Sequence, residues 1–324
     1  MTTRPRRVRI SAPSHVHLGN FDLCGDLGRL FGTIGFTLEE PRLVLELEPS
    51  TEPRAEGPYA DLVLDYMRKV MELLNVGPAH VRVLSSFRRG VGLGLTTAVA
   101  LSVAWGLCRL YGVDVNILDI APRLGRGLVS ALGTYGFVYG GMIVDAGFRI
   151  NEPLSRVPPL IARLEIPREW TFLIVVPENV PKQVAKIKSA EAEVLRSLPK
   201  MSQELSGRLC RIVLMKLIPS VLEQDIEKFG EAVTEFNKLA GTYWAPFQEG
   251  RLYCSPEVEE GIQLLLDNGA VGAAQSCWGP TFYGIFRSVE DAEKAARIVQ
   301  SRIRCRIYIT HVDNRGATAE VVID

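Results

Sequence analysis

Three stretches of this chain combine glycine, small and hydroxyl residues with a complete lack of charge. They are Gly90 to Cys108, Gly127 to Val144 and Asn268 to Phe286, and they hold 13 of the 29 glycines. The first opens as Gly90-Val-Gly92-Leu-Gly94-Leu-Thr96-Thr97-Ala and runs into an apolar segment. Glycines at alternate positions let the backbone pass through φ > 0 and turn amides outward, and a threonine can cap the helix that follows. With the helix dipole behind those amides, and Arg88 and Arg89 beside them, the loop is an anion site whose natural ligand is phosphate. It matches neither common glycine fingerprint: no Gly-Lys pair makes a Walker A loop, and the spacing is not Gly-x-Gly-x-x-Gly. The competing reading is a glycine-rich helix entry with no ligand.

The other candidates are weaker on their own. Ala12-Pro-Ser14-His15-Val-His17-Leu-Gly-Asn20-Phe-Asp22 sets His15 and His17 on one face if it is extended. Two such histidines could begin a zinc site, but catalytic zinc needs a third ligand and none is close in sequence. Ser276 and Thr281 flank Gly279-Pro280 between two apolar runs, which is a hairpin pattern. There is no Gly-x-Ser-x-Gly elbow for a nucleophilic hydrolase. Six cysteines, at positions 24, 108, 210, 254, 277 and 305, contain no Cys-x-x-Cys pair and read as reduced thiols rather than as a disulfide framework.

Positioning these residues falls to a chain of 324 residues, long enough for two domains. Its 37 Lys+Arg balance 37 Asp+Glu, so no net field gathers a nucleic acid or an anionic membrane. Only Ala98 to Cys108 is a convincing apolar helix within the first window, and 11 residues do not span a bilayer. The arginines of the first ten residues precede Pro13 and His15 rather than an apolar signal core, so the cytoplasm is the expected location. Alternating runs at Val8–Ser11, Leu43–Glu48 and Val81–Leu84 predict strands, and Val63 to Leu74 has helical spacing. Helices are also predicted at 98–111 and 116–125, and a strand at 142–145. The proline-rich segment from Asn151 to Pro167 marks a domain junction, giving units 1–160 and 161–324. The second unit predicts a strand at 170–176, helices at 185–198, 202–217, 222–239 and 257–267, a strand through Ile285-Phe286, a helix at 290–301 and a strand at 306–310. The class is α+β.

Three segments in this order, Ala12-Pro-Ser14-His15-Val-His17-Leu-Gly, the Gly90 loop and Gly272-Ala-Ala-Gln-Ser276-Cys-Trp278-Gly279-Pro-Thr281, resemble the motifs of the GHMP kinase superfamily over nearly the whole chain. The resemblance implies a GHMP kinase-like two-domain fold: an N-terminal domain like the second domain of ribosomal protein S5, a ferredoxin-like C-terminal domain, and a site in the cleft between them. The second window departs from the kinases. Aligning its Gly140-Gly141 pair with theirs puts Gly133, in Ser130-Ala-Leu-Gly133-Thr134-Tyr-Gly, where their catalytic Asp stands. The loop also has Leu95-Thr96-Thr97 for the usual Gly-Ser-Ser. A kinase needs a positioned base for its acceptor hydroxyl, so a phosphate cradle without one suggests that something other than phosphate is transferred.

One branch of the superfamily is similar in finer detail. The β-ribofuranosylaminobenzene 5′-phosphate synthases of methanopterin biosynthesis resemble this chain at His17-Leu-Gly-Asn20-Phe-Asp22, Leu27 to Gly35, Leu132-Gly133-Thr134-Tyr-Gly136, Ala245-Pro-Phe-Gln248 and Gln275-Ser276-Cys-Trp278-Gly279-Pro-Thr281. Those enzymes join phosphoribosyl pyrophosphate to 4-aminobenzoate or 4-hydroxybenzoate, releasing pyrophosphate and CO2, with Mg²⁺ as the implied cofactor. The resemblance implies a homodimer too. It assigns Gly90, Gly92, Gly94, Thr96 and Thr97 to pyrophosphate, His17 and Asp22 to the ribose or metal side, and Thr134 and Ser276 to the reacting centre. Ser14, Asn20, Gly133, Trp278, Gly279 and Thr281 complete the expected substrate contacts, and Arg29 is the candidate for an arene carboxylate or 5′-phosphate. No metal ligand is assigned. The alternatives are an ATP-dependent small-molecule kinase of the superfamily and a non-catalytic binding protein on the same fold.

Overall fold

The computed structural model describes residues 7–152, 154–182, 184 and 198–322. Its first sheet is built on two long strands, β1 (Arg7–Asp22) and β2 (Arg29–Pro49), paired antiparallel. The sequence predicts only short strands here, because Pro13, Gly19, Gly35 and Pro41 read as breaks. The ladder absorbs two of these breaks as register shifts at Pro13/Ser14 and His17/Gly19, and a bulge bends a strand without ending it. The bent half of β1 carries His15 and His17, so both side chains share a face as an extended segment requires.

Strands β3 (Arg54–Glu56) and β4 (Ala79–Ser85) follow, with α1 (Ala60–Leu74) between them; then come α2 (Leu95–Tyr111), α3 (Ile117–Arg123), α4 (Leu132–Tyr139), β5 (Met142–Asp145), β6 (Phe148–Arg149) and β7 (Leu160–Leu164). α2 is apolar on nearly every side and is buried almost throughout between the sheet and α1, as its composition predicts. α4 occupies the second uncharged window, where the glycines conceal its helical character. Asp145 gathers the Ala131 amide just before α4 and the Gly147 amide, each at 2.9 Å, and so ties the start of α4 to β5.

The second sheet contains β8 (Thr171–Pro177), β9 (Gly272–Gln275), β10 (Phe282–Phe286) and β11 (Cys305–Thr310), all antiparallel in the order β11-β8-β10-β9. The third window is the β9–β10 hairpin that its turn residues predict. Helices α5 (Gln203–Ile212), α6 (Ile218–Leu222), α7 (Ile226–Trp244), α8 (Pro256–Asp267) and α9 (Val289–Arg302) pack around this sheet, a π-helical turn at Val213–Leu217 joining α5 to α6. The helix expected from 185 falls almost entirely outside the described residues. Leu173 and Val175 of β8 face α8 and α9, whereas Phe172, Ile174 and Val176 face the core shared with the first sheet. A strand covered on both faces reads as a continuous apolar run, which is how Trp170–Val176 reads. Phe36 of β2 packs 4.9 Å from Phe172 and 5.5 Å from Tyr283, ring centre to ring centre, and joins the two halves.

Two strands cross the boundary expected at 160/161. β7 pairs with β5 in the first sheet, and the last strand, β12 (Thr318–Val322), returns to pair with β1. The return covers the outer edge of β1, whose backbone groups would otherwise be left unpaired.

Candidate active site

A cleft of about 850 Å³ opens between the two halves, lined by β1, the Gly90 loop, the start of α2, the 125–133 segment, α7 and the β9–β10 turn. All three uncharged windows reach it. Gly94 is the N-cap of α2 with φ 80°, the left-handed conformation in which glycine is favoured. The Thr97 and Ala98 amides both donate to the Gly94 carbonyl (3.1 Å each), which leaves the Leu95 and Thr96 amides as the first-turn donors with no acceptor inside the helix.

The glycines of the loop serve packing more than ligand approach. A Cβ on Gly94 would stand 2.0 Å from Cε1 of His15, and one on Gly92 would stand 2.7 Å from the Ser276 carbonyl oxygen, while Gly90 has open space at that position. Ser276 explains the second contact. Its hydroxyl donates to the Gly92 carbonyl (2.7 Å) and accepts from the His17 amide (3.0 Å), while the Cys277 amide donates to the His17 carbonyl (2.9 Å). The hairpin turn, β1 and the phosphate-type loop are thereby clamped together from opposite halves of the chain.

His15 fills the space between the loop and α4. On the α4 side, a Cβ on Gly133 would lie 2.8 Å from His15 Cε1 and 3.1 Å from the Thr97 methyl. A side chain at 133 would therefore have to displace the His15 ring. His15 and His17 keep some surface toward the cleft, yet desolvation holds both rings neutral. The His15 pKa is lowered to about 3, with His17 beside it as a further cause, and that of His17 to about 4, where a backbone hydrogen bond partly opposes the shift. Imidazoles this reluctant to accept a proton are poor general bases near pH 7.

Of the residues singled out in the sequence, His17, Asn20, Gly90, Gly92, Gly94, Thr96, Thr97, Gly133 and Trp278 line the cleft. Ser14, Thr134, Ser276 and Thr281 lie fully buried behind its wall. Gly279, at the hairpin turn, packs against Cys254, a Cβ there falling 2.6 Å from its sulfur. Asp22 is outside the described lining, its carboxylate accepting from the Cys24 amide at 2.9 Å. Arg29 is outside as well: its guanidinium donates to the Ala146 and Gly147 carbonyls at 2.9 and 2.8 Å, holding β2 to the loop after β5. Those two donors are held by backbone, and Arg29 is not part of the cleft lining that its expected anion role requires.

Two other arginines, Arg89 and Arg126, do reach the cleft. Both line the cleft, and among the described residues the buried Nε of Arg126 has no hydrogen-bond partner. A guanidinium donor left unpaired out of water is costly unless a ligand answers it. Arg126 follows a short helix in an ordinary Leu-Gly-Arg-Gly loop, and only its position in the second uncharged window's flank could have drawn attention to it. Asn237 was equally hidden in α7. Its Nδ2 donates to the carbonyls of Leu18 and Gln275 (3.1 Å each) and its Oδ1 accepts from the Gln275 amide (2.9 Å), fixing α7 against β1 and β9.

A protein-held Mg²⁺ does not fit this lining. Mg²⁺ takes oxygen ligands, commonly one or two carboxylates with substrate phosphates. Among the described residues no group of three or more His, Cys, Asp and Glu is arranged for a metal, and the described lining has no carboxylate.

Comparison with known proteins agrees with this architecture. Residues 61–141 match the model of the GHMP kinases N terminal domain, and residues 217–305 that of the GHMP kinases C terminal. Homoserine kinase from Cytophaga hutchinsonii superposes with a TM-score of 0.67 at 19% identity, covering 97% of this chain and 98% of that one. The mevalonate kinase of Methanococcus jannaschii gives 0.65 at 15%, covering 94% and 98%. The fold is that of the GHMP kinases. In sequence, the chain is 33% identical to beta-ribofuranosylphenol 5'-phosphate synthase of Methanothermobacter thermautotrophicus over 95% of its length and 97% of that protein's. It is 31% identical to the protein of the same name from Archaeoglobus fulgidus, over 97% and 100%. It therefore belongs to the beta-ribofuranosylphenol 5'-phosphate synthase family. No helix among the described residues is long and apolar enough to cross a membrane.

Proposed function

We propose that this enzyme joins phosphoribosyl pyrophosphate to 4-hydroxybenzoate, releasing pyrophosphate and CO2 and forming β-ribofuranosylphenol 5′-phosphate for methanopterin biosynthesis. The product named for the relatives is a phenol. Because the para substituent passes unchanged into the product, that name favours 4-hydroxybenzoate over 4-aminobenzoate.

The bond from ribose C1 to the diphosphate oxygen breaks, and its electron pair leaves with pyrophosphate. The ring carbon that bears the carboxylate bonds to C1; the ring–carboxylate bond then breaks, its electrons restore aromaticity, and CO2 departs. No proton is removed from the nucleophile, so no strong base is needed. The observation that carries the reading is Gly133, which brings no carboxylate to the cleft and where even a Cβ would press on the His15 ring and the Thr97 methyl. The loop amides, Thr96, Thr97, Arg89 and Arg126 supply donors suited to the anionic groups of the sugar substrate. His15 and His17 stay neutral, so the positive charge that answers the leaving group comes from Arg89 and Arg126.

The test is incubation with the Mg²⁺ salt of phosphoribosyl pyrophosphate and carboxyl-labelled 4-hydroxybenzoate. Labelled CO2 and pyrophosphate in equal amounts are expected; ADP formed from ATP and an alcohol, without either product, would return the enzyme to the kinases.

A further inference from the structure

One part of the cleft is unlike the phosphate-type loop. α7, the turn after it and the β9–β10 hairpin bring Trp244, Trp278 and Tyr253 to its wall together with Ala240, Gly241 and Leu252. Trp244 and Trp278 meet at 4.6 Å between ring centres and 65° between planes, and Phe247 supports both from 6.1 and 6.4 Å. Rings braced edge to face in this way present fixed apolar surface at little entropic cost. Tyr253 is 4% exposed, and its hydroxyl has no hydrogen-bond partner among the described residues. The adjacent polar groups are already used: Gln275 Oε1 accepts from the Cys254 amide (2.7 Å), its amide nitrogen donates to Gln248 Oε1 (3.1 Å) and the Cys277 carbonyl (2.9 Å), and the Gln248 amide donates to the Leu252 carbonyl (2.9 Å). One aromatic wall therefore carries a buried hydroxyl that no described residue bonds.

We infer that Trp244, Trp278 and Tyr253 form the subsite for the arene acceptor, with the Tyr253 hydroxyl bonded to the acceptor's para substituent. The inference rests on the synthase reading above and goes beyond it in assigning which end of the acceptor is recognised. A donor placed on the carboxylate would stabilise the group that must leave as CO2. A hydroxyl at the para oxygen instead meets the atom that feeds electron density to the attacked carbon, and as that atom's O–H grows more acidic a neutral phenol can accept from it. Burial, with Glu259 as a lesser cause, pushes the Tyr253 phenol up to about 12, so it stays neutral.

Arene binding is read without turnover, from quenching of the tryptophan fluorescence by 4-hydroxybenzoate and by benzoate, in the wild-type enzyme and in Tyr253→Phe. The variant loses no hydrogen bond to the described residues and should melt at the wild-type temperature. Wild-type enzyme should bind 4-hydroxybenzoate about five- to tenfold more tightly than benzoate, and Tyr253→Phe should bind the two alike. In turnover, KM for 4-hydroxybenzoate should rise by the same factor and KM for phosphoribosyl pyrophosphate should stay put. Equal weakening of both arenes would place the hydroxyl on the carboxylate, and no change in either would remove Tyr253 from the subsite; both results overturn the inference. If wild-type enzyme forms no product from the two substrates, the synthase reading itself fails, whatever the variant does.

Discussion

Gly133 is the position where sequence and space say the same thing, and Gly133→Ala tests it. Alanine normally strengthens a helix relative to glycine by up to about 1 kcal/mol, and Gly133 lies in the first turn of α4 with no positive φ to forbid a side chain. Against that gain stands a new methyl 2.8 Å from His15 Cε1. His15 cannot step back, because its ring already occupies the place of a Cβ on Gly94. Overpacking of this kind typically costs about 1–3 kcal/mol, so the net expectation is a loss of about 1–2 kcal/mol. Denaturant unfolding at constant slope measures it. The decisive control is a double-mutant cycle: in a His15→Ala background the obstruction is gone, and Gly133→Ala should become neutral or stabilising by up to about 1 kcal/mol. A penalty that persists undiminished without His15, or a Gly133→Ala protein as stable as wild type, would refute the idea that His15 excludes a side chain here. Gly133→Asp should likewise fail to create an ATP-dependent kinase, since the carboxylate meets the same ring.

Two further outcomes follow from the site. Arg126→Gln removes a guanidinium whose Nε has no partner among the described residues. Its thermal midpoint should hold while KM for phosphoribosyl pyrophosphate rises about ten- to a hundredfold, as the loss of about 1.5–3 kcal/mol of charged hydrogen bonding implies; an unchanged KM removes Arg126 from the anion site. Stability should also depend on pH between about 4 and 6. Folded His15 and His17 refuse protons, with values of about 3 and about 4, that the unfolded chain accepts near 6.5, whereas folded Asp145, raised by burial to about 6, holds a proton that the unfolded chain has released. The unfolded state thus carries a net excess of one proton from these three groups. Their combined stabilisation rises with pH by about 1.4 kcal/mol per unit across this window. Asp145→Asn removes the opposing contribution and should steepen the slope, although the variant is less stable throughout because an amide cannot accept from both the Ala131 and Gly147 amides; an equal or shallower slope would show that Asp145 ionises normally.

Much of the fold was legible because its signals are local. α2 announced itself by apolar residues on every side, β8 by an unbroken apolar run, and the β9–β10 hairpin by its turn residues. The lengths of β1 and β2 were hidden, since prolines and glycines that read as breaks are tolerated once a partner strand takes up the bulge. α4 was hidden by glycines whose smallness answers to neighbours distant in sequence, and β12 by the fact that its reason for existing is the open edge of β1.

For the site, the sequence by itself determined the phosphate-type loop and the pairing of His15 with His17 on one strand face, which depend on residue type and on the periods of helix and strand. The carboxylate missing at 133 is visible only through the resemblance to the GHMP kinases. Only the tertiary structure decided what the residues do with one another. It turned Gly92 and Gly94 into packing contacts for Ser276 and His15, moved Arg29 onto backbone carbonyls, and brought to the cleft an Arg126 Nε and a Tyr253 hydroxyl that no described residue bonds. Such assignments require knowing which groups are already satisfied, and a buried polar atom's partners come from all parts of the chain.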